Sequence, residues 1–273
     1  MGQKVNPISL RLPLNKRWDS KGFFPGFNYT SLLHQDLQIQ RYVHGVFFSF
    51  KILCNRCVIK RFGESLNLNI YFYLKATKKT SSNFIKILSL KTTKRKPNFY
   101  KKKKLSKDST LLSLVNFLTK SLKKLTKLNV NLRLIPLYSS TSKKYKRSLS
   151  QLERTMRFLN SLYYLHLFDA SFSTKNGMLF AQFLALNLHS HIRKIRFFLR
   201  FVDRLLNLFI KHHGLKGVKL SIKGKLNGAR RARTIILQKG KMPLNTLSSG
   251  ISFGFAKSMT IYGICGVKVW LYY

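Results

Sequence analysis

The imbalance of charge restricts this chain more than any other feature of its sequence. It carries 52 Lys and Arg against 7 Asp and Glu, a formal net charge of +45. Self-repulsion of that size opposes a compact fold unless a polyanion neutralises it. An acidic protein could neutralise part of the charge, but nucleic acid offers one phosphate for about every 1.7 Å of duplex. The sequence therefore favours RNA or DNA as the partner over a merely solvated basic surface.

The chain is nevertheless apolar enough to fold. Hydrophobic residues make up 45% of it, with 22 Phe and 12 Tyr, which is too apolar for a disordered basic tail. Its 273 residues allow one to three domains at about 150 residues each. The 3 cysteines are odd in number, so we expect no disulfide framework and a reducing compartment. Polar residues interrupt the apolar run 176–192, which favours a packed helix over a membrane span.

Residues 1–26 are predicted to form an extended basic arm. Proline and glycine punctuate this segment, and an extended backbone leaves amides and cations free for phosphate contacts. We predict RNA contacts from four side chains of the arm, Lys4, Arg11, Lys16 and Arg17.

Residues 27–138 show the pattern helix, strand, strand, helix, strand. Ser31 is a plausible N-cap for a helix to Ser49, and Ser109 or Thr110 for a second helix through Lys127. Alternating apolar residues predict strands over 56–62, 66–74 and 130–137. Residues 139–175 are interpreted as a linker or insert that begins rich in Ser and Lys.

A dense block of lysines divides this region. Residues 75–108 form a Lys-rich insert, and such a block is typically a flexible surface segment or an interaction arm. We predict that its RNA-binding residues are Lys101, Lys102, Lys103 and Lys104, in a segment that becomes ordered on RNA.

One long helical pattern runs from Asn176 to His213. Arg193, Arg196, Arg200, Arg204 and Lys211 fall within roughly an 80° sector at about 100° per residue. Apolar residues lie opposite: Ile195, Phe198, Val202, Leu205, Leu206 and Phe209. Because Asp203 is the only acid in the segment, pairing within the helix cannot neutralise the stripe, and we predict phosphate contacts.

The two ends of the chain resemble one known family. The stretch Gly214 to Tyr273 contains GKLNGARRART, GKMPLNTL and YGICGVKVWLYY, and the chain opens with MGQKVNPISLRL. Both resemble the universal ribosomal small-subunit protein number three. The resemblance implies a place on the head of the small subunit, contacts with its rRNA, and neighbours such as head proteins ten and fourteen. It also implies a share in the tunnel through which messenger RNA enters, with Arg196, Arg200 and Arg204 near that entrance and Phe201 at a position that is basic in the family.

The family carries a KH domain where this chain has residues 27–138. The segment CNRCVIKRFGESLNLNIYFY resembles the first two KH strands. A KH fold grips single-stranded RNA through a GXXG loop, yet no glycine occurs between Gly63 and Gly177. The resemblance thus implies a degenerate KH-like (type II) domain, with the Lys-rich insert in place of the loop.

Residues 176–273 are interpreted as an α/β two-layer carboxy-terminal domain. Strands are predicted over 218–222, 232–237, 244–253 and 267–272, and Gly214-Leu-Lys-Gly217 as a helix C-cap turn. Arg230, Ile235 and Ser252 stand where the family has acids, which raises the positive potential. We predict RNA contacts from the domain's cations Lys225, Arg230, Arg231 and Arg233.

The remaining chemistry is sparse. Cys54 and Cys57 have the spacing of half a zinc site without a second pair, so we interpret them as small buried hydrophobes.

We expect an α+β structural protein of a mitochondrial small ribosomal subunit, with no catalytic residues, metal, cofactor, membrane or small-molecule substrate. The Lys-, Asn- and Phe-rich composition suggests an AT-rich organellar gene. A chloroplast ribosome and a free-standing KH-type RNA-binding protein are the alternatives.

Overall fold

The computed structural model describes residues 4–12, 14–23, 26–50, 52–63, 65–73, 108–137, 171, 174–191 and 195–273. The chain divides into two compact units. The central unit is Asp19–Pro136, and the carboxy-terminal unit combines Met1–Trp18 with Leu137–Tyr273. The predicted inserts, including Lys101 to Lys104 and most of 139–175, lie outside the described residues.

The described parts of the chain contain five α-helices and eight strands. The helices are α1 (Pro7–Leu10), α2 (Tyr29–Ser49), α3 (Asp108–Thr126), α4 (Gly177–His191) and α5 (Ile195–His213). The strands are β1 (Ser20–Lys21), β2 (Leu53–Phe62), β3 (Ser65–Tyr73), β4 (Asn129–Pro136), β5 (Gly217–Gly224), β6 (Arg233–Gly240), β7 (Ile251–Thr260) and β8 (Gly263–Tyr272).

The central unit is a four-stranded sheet packed against two helices. Its strand order is β1-β2-β3-β4, with an antiparallel β2/β3 hairpin and parallel pairs at both edges. Leu66, Leu68, Ile70 and Phe72 alternate into the core, as the sequence predicted. The helices contribute residues spaced by four, as one apolar face of a helix requires, among them Ile39, Val43 and Phe47 of α2 and Leu114, Leu118 and Leu122 of α3.

The predicted element order of the central unit is confirmed, with shifts at the ends. Helix α2 begins at Tyr29, and the Ser31 hydroxyl donates to the Asn28 carbonyl at 2.9 Å instead of capping the helix. Strand β2 begins at Leu53, three residues before the predicted start. The assignment of this unit to a KH-like domain stays a prediction.

The carboxy-terminal unit is a four-stranded antiparallel sheet with helices on one face. Its order is β6-β5-β8-β7. Helix α4 packs on β7 and β8, and α5 on β5 and β6. The inner face of the sheet is aliphatic and fully buried, with Val218, Leu220 and Ile222 beside Val267, Val269 and Leu271. This face and the two helices form the core of the unit.

Two glycines decide local geometry here. Helix α4 approaches β7 so closely that a Cβ on Gly254 would lie 2.1 Å from the Gly177 carbonyl oxygen, so position 254 excludes any side chain. Gly214 follows α5 with a φ of +62°, the left-handed conformation that ends helices. The predicted C-cap turn is therefore confirmed.

Three sequence predictions are wrong in this unit. The pattern 176–213 forms two helices, because α4 and α5 pack on different strand pairs. The predicted strand 244–253 is instead a loop followed by β7, because the carbonyls at 243, 244, 246 and 249 face a buried guanidinium instead of a neighbouring strand. The amino-terminal arm is not extended throughout, because residues Pro7–Leu10 form α1. None of the described helices is both long and apolar enough to span a membrane.

Candidate nucleic-acid interface

Helix α5 presents the predicted arginine stripe on its exposed side. Arg196, Arg200 and Arg204, which are spaced by four residues, are all exposed. The opposite side is anchored, because Phe198, Val202, Leu205 and Leu206 are fully buried. A helix held by its apolar face offers the three guanidinium groups on a rigid support, which suits phosphate contacts. The side chains of Arg193 and Lys211 lie outside the described residues.

Phe201 belongs to the packed side of the helix. It is fully buried, so this position faces the core and leaves the exposed stripe uninterrupted. Leu199 is also buried, which makes the apolar face of α5 broader than the sequence pattern indicated.

The one acid of α5 points toward the sheet. Asp203 Oδ1 lies 3.0 Å from Lys239 Nζ of β6. Among the described residues no ion pair joins an acid to Arg196, Arg200 or Arg204, so their charge stays available to a polyanion. The Arg200 guanidinium lies 5.9 Å from the ring centre of the exposed Phe197, which restricts its conformations without neutralising it.

The turn between β5 and β6 presents a second set of cations. Lys225, Arg230 and Arg231 are exposed in it, and Arg233 begins β6 opposite Gly224. Asn227 and Gly228 adopt φ values of 55° and 72°, the left-handed conformation that a tight turn requires. These four cations are placed to contact RNA, and that role stays a prediction.

The prediction that Arg11 binds RNA is wrong. Its side chain has 0% exposure. Its Nε donates to the Ser249 carbonyl at 3.0 Å, and Nη2 donates to the carbonyls of Leu244 at 3.0 Å and Thr246 at 2.8 Å. Further acceptors are the Pro7 and Pro243 carbonyls and the Ser249 hydroxyl. Burial lowers the pKa of this guanidinium, but its array of acceptors matches a charged donor.

Arg11 therefore fixes the amino-terminal segment to the loop before β7. A five-donor fork can satisfy several carbonyls that would otherwise be buried without partners. The other predicted cations of the arm lie nearer the surface. Lys4 and Arg17 are exposed, and Lys16 Nζ lies 3.4 Å from the Tyr273 hydroxyl.

Cys54 and Cys57 lie in the hydrophobic core of the central unit. Burial raises the pKa of each thiol to about 12, which disfavours the thiolate that a metal would need. Within the described residues, no group of three or more His, Cys, Asp or Glu could hold a metal ion. The arrangement thus offers cations and aromatic rings for nucleic acid.

Sequence reasoning missed one basic surface. Lys223, Lys257 and Lys268 are exposed on the outer face of the carboxy-terminal sheet, the face away from α4 and α5. Their alternation with buried aliphatic residues in β5 and β8 was the available signal, but the pairing that brings them together depends on strand order.

Comparison with known proteins finds a matching family model and similar curated relatives. Residues 189–271 match the family model of ribosomal protein S3, C-terminal domain. The whole chain is also similar to curated relatives named small ribosomal subunit protein uS3. Over 272 residues that cover 100% of this chain, identity is 28% to the protein of Carboxydothermus hydrogenoformans, covering 91% of it. The identity is 26% to the protein of Caulobacter vibrioides, of which 81% is covered. It is 27% to the protein of Ehrlichia canis, of which 96% is covered.

The matched region contains α5, the basic turn, strands β5 to β7 and β8 up to Leu271. Together with the similarity over the full chain, it supports the ribosomal uS3 family. That family is structural and not enzymatic, as the sequence predicted.

Proposed function

We propose that this chain is a structural constituent of a small ribosomal subunit, where it binds the rRNA of the head. The observation that carries the proposal is that the family match covers Arg196, Arg200 and Arg204, which are exposed and which no ion pair among the described residues joins to an acid. Such cations position a protein on a phosphate backbone without reading sequence. By the same family likeness, the neighbours would be other head proteins, such as numbers ten and fourteen.

The proposed ribosome is mitochondrial. The supports are the Lys-, Asn- and Phe-rich composition, the missing GXXG loop and the long inserts around residues 75–108 and 139–175. The relatives compared above are bacterial, where the ribosome is cytoplasmic. A chloroplast ribosome remains the alternative location.

Sedimentation tests the ribosomal proposal. Lysates of purified mitochondria and of chloroplasts, prepared from the source organism, would be separated on sucrose gradients and probed for this chain. We expect it in the small-subunit fraction of the mitochondrial lysate, and we expect it to stay there after magnesium is removed to dissociate the subunits. Migration at the top of the gradient in both lysates would contradict the proposal and favour a free-standing RNA-binding protein.

A finer proposal places α5 at the entrance of messenger RNA. Arg196, Arg200 and Arg204 would contact message phosphates there, because they form an exposed stripe on a helix whose other side is anchored. The contacts would be independent of message sequence, since guanidinium groups on phosphates carry no base information.

The Lys-rich insert has a separate proposed role. Lys101 to Lys104 would replace the missing GXXG grip of a degenerate KH-like central unit by binding rRNA through charge alone. Replacing these four lysines with Ser should weaken incorporation into the small subunit while the thermal unfolding of the chain is unchanged. A control variant replaces three exposed lysines of α3, Lys120, Lys123 and Lys124, with Ser. Equal incorporation of both variants would refute the role.

A further inference from the structure

The outer face of the carboxy-terminal sheet is an exposed surface built from aromatic and basic residues. Strand pairing arranges it in rows. One row contains Lys219, Trp270 and Phe253, and the next contains Ile236, Ser221, Lys268 and Phe255. A third row contains Lys223, Gly266 and Lys257. Helices α4 and α5 cover only the opposite face, as the bond from the Ser258 hydroxyl to the Ala185 carbonyl at 2.7 Å and the Asp203–Lys239 pair indicate.

The aromatic residues of this face are accessible to different extents, since Phe255 is exposed whereas Phe253 and Trp270 are half-buried. The Trp270 ring lies between Phe253, with ring centres 5.4 Å apart, and Lys219 Nζ, 5.8 Å from the indole. Phe255 is 39% exposed, and its Cε2 would lie 3.6 Å from a Cβ built on Gly266. The edge of the Phe255 ring therefore lies beside the glycine, and Lys257 and Lys268 are exposed on the same face.

Charge identifies the occupant that fits. Within the described strands the outer face carries Lys219, Lys223, Lys257 and Lys268 and no acid. A protein partner would have to be acidic to pair with the four lysines. Exposed ion pairs between lysines and carboxylates contribute little binding energy, because water solvates both groups well. Single-stranded nucleic acid matches both properties of the face, because its phosphates pair with lysines and its bases stack on aromatic rings.

We propose that this outer face binds single-stranded RNA. Bases stack on Phe255 and on the Phe253–Trp270 pair, and phosphates contact Lys223, Lys257 and Lys268. The face is distinct from the α5 stripe, which lies on the helical layer of the same unit. The carboxy-terminal unit thereby binds RNA on both of its sides, and the second site does not depend on the ribosomal role proposed above.

Fluorescence of Trp270 tests the proposal. Trp18 and Trp270 are the only tryptophans of the chain, so a full-length Trp18→Phe protein reports from this face alone. We expect a short single-stranded oligoadenylate to quench this fluorescence, and an RNA duplex of the same length to quench it less, because paired bases cannot stack on the rings. The same titration on an Arg196→Ala/Arg200→Ala/Arg204→Ala background separates the two sites, and we expect the quenching to persist there.

Phe255→Leu is the decisive variant. It keeps an apolar side chain of similar size at an exposed site and removes the aromatic face. We expect affinity for the single strand to fall about 5- to 100-fold. The matched control is Phe117→Leu, which alters a 52% exposed ring on α3 in the central unit and should leave affinity unchanged. Equal thermal unfolding midpoints for both variants establish that folding is not the cause.

Three outcomes overturn the proposal. In the first, the chain binds RNA but the fluorescence of Trp270 is not quenched. RNA would then bind elsewhere, and the outer face would be a surface for a protein partner. Another is unchanged affinity in Phe255→Leu, and the third is equal quenching by duplex and single strand. Either of the last two outcomes would show that the face attracts RNA only through unspecific electrostatic attraction, without base stacking.

Discussion

The arginines of this chain have two different roles, and the environment of each side chain decides which role it has. Arg11 is completely buried and donates to five carbonyl groups and one hydroxyl, whereas Arg200 and Arg204 are exposed on α5. The first is a structural clamp and the others are candidate phosphate ligands. A guanidinium suits both roles, because its planar set of donors fits backbone carbonyls as well as phosphate.

Replacing Arg11 should destabilise the carboxy-terminal unit. We expect Arg11→Met to lower the free energy of unfolding by about 3 kcal/mol or more, because several carbonyls lose a charged donor and stay buried. Arg11→Lys should recover little of this, since an ammonium cannot reproduce the fork. The measurement is urea denaturation of the isolated chain, with Arg231→Met, an exposed position, as the control. A stable Arg11→Met protein with weakened RNA binding would restore Arg11 to the RNA interface.

Replacing Arg200 and Arg204 with Ala should affect translation selectively. We expect messages with stable stems to be slowed more than unstructured ones, because the variant loses phosphate positioning where the message enters. Subunit assembly should be preserved, since neither side chain contributes to the core. The measurement is in vitro translation of paired reporters, with Lys120→Ala/Lys124→Ala, which removes the same charge from exposed positions of α3, as the control. Equal slowing of both messages would count against the entrance role.

Among the elements, the distribution of apolar residues around each helix reflects how many of its sides are packed against the rest of the unit. Helix α4 is apolar on nearly all sides, with Leu179, Phe180, Ala181 and Leu184 fully buried. Helix α5 is buried on one side and basic on the other. Strand β2 places Cys54 and Cys57 in the core of the central unit, where they act as small apolar side chains.

Strand β2 should protect its thiols from alkylation. A pKa raised from 9.0 to about 12 lowers the thiolate fraction at pH 8 from about 10% in the unfolded chain to about 0.01% in the native one. We expect iodoacetamide to modify Cys54 and Cys57 only after unfolding, as peptide mass spectrometry would show. Because the folded pKa is the higher one, the associated stability is complete below pH 9 and is lost between pH 9 and about 12. Rapid native labelling at pH 8 would contradict the burial.

For the whole molecule, internal pairing leaves most of the positive charge uncompensated. The described acids Asp19, Asp36 and Asp203 each pair with a cation, Arg56, Arg61 and Lys239 respectively. Three such pairs are few against a net charge of +45. The molecule therefore depends on a polyanion to relieve its self-repulsion.

Affinity for RNA should depend steeply on salt. With six to ten phosphate contacts, we expect affinity for head rRNA fragments to fall about 10³- to 10⁵-fold between 50 and 200 mM salt. Replacing Lys101 to Lys104 with Ser should reduce the slope of log affinity against log salt by about 3 to 4, if each lysine neutralises one rRNA phosphate. Filter binding at a series of salt concentrations measures both quantities. A flat dependence would exclude counterion release as the main driving force.

Local pattern alone determined several properties of this protein. The charge indicated nucleic acid, the alternation of Leu66 to Phe72 predicted a half-buried strand, and the four-residue spacing of Arg196, Arg200 and Arg204 predicted an exposed stripe. These inferences succeed because the periods of helix and strand are fixed by backbone geometry. The two terminal motifs pointed to the ribosomal family, because a motif is recognised from the order of its residues and does not require knowledge of tertiary contacts.

Tertiary structure alone decided what depends on residues distant in sequence. Arg11 and the loop at 243–249 are more than 230 residues apart, so nothing in the amino-terminal pattern distinguished a buried clamp from a phosphate ligand. The strand order β6-β5-β8-β7 likewise brings Lys223, Phe255 and Lys268 onto one face. A sequence determines which side of a strand a residue occupies, but the neighbours across the sheet are set by the packing of the whole unit.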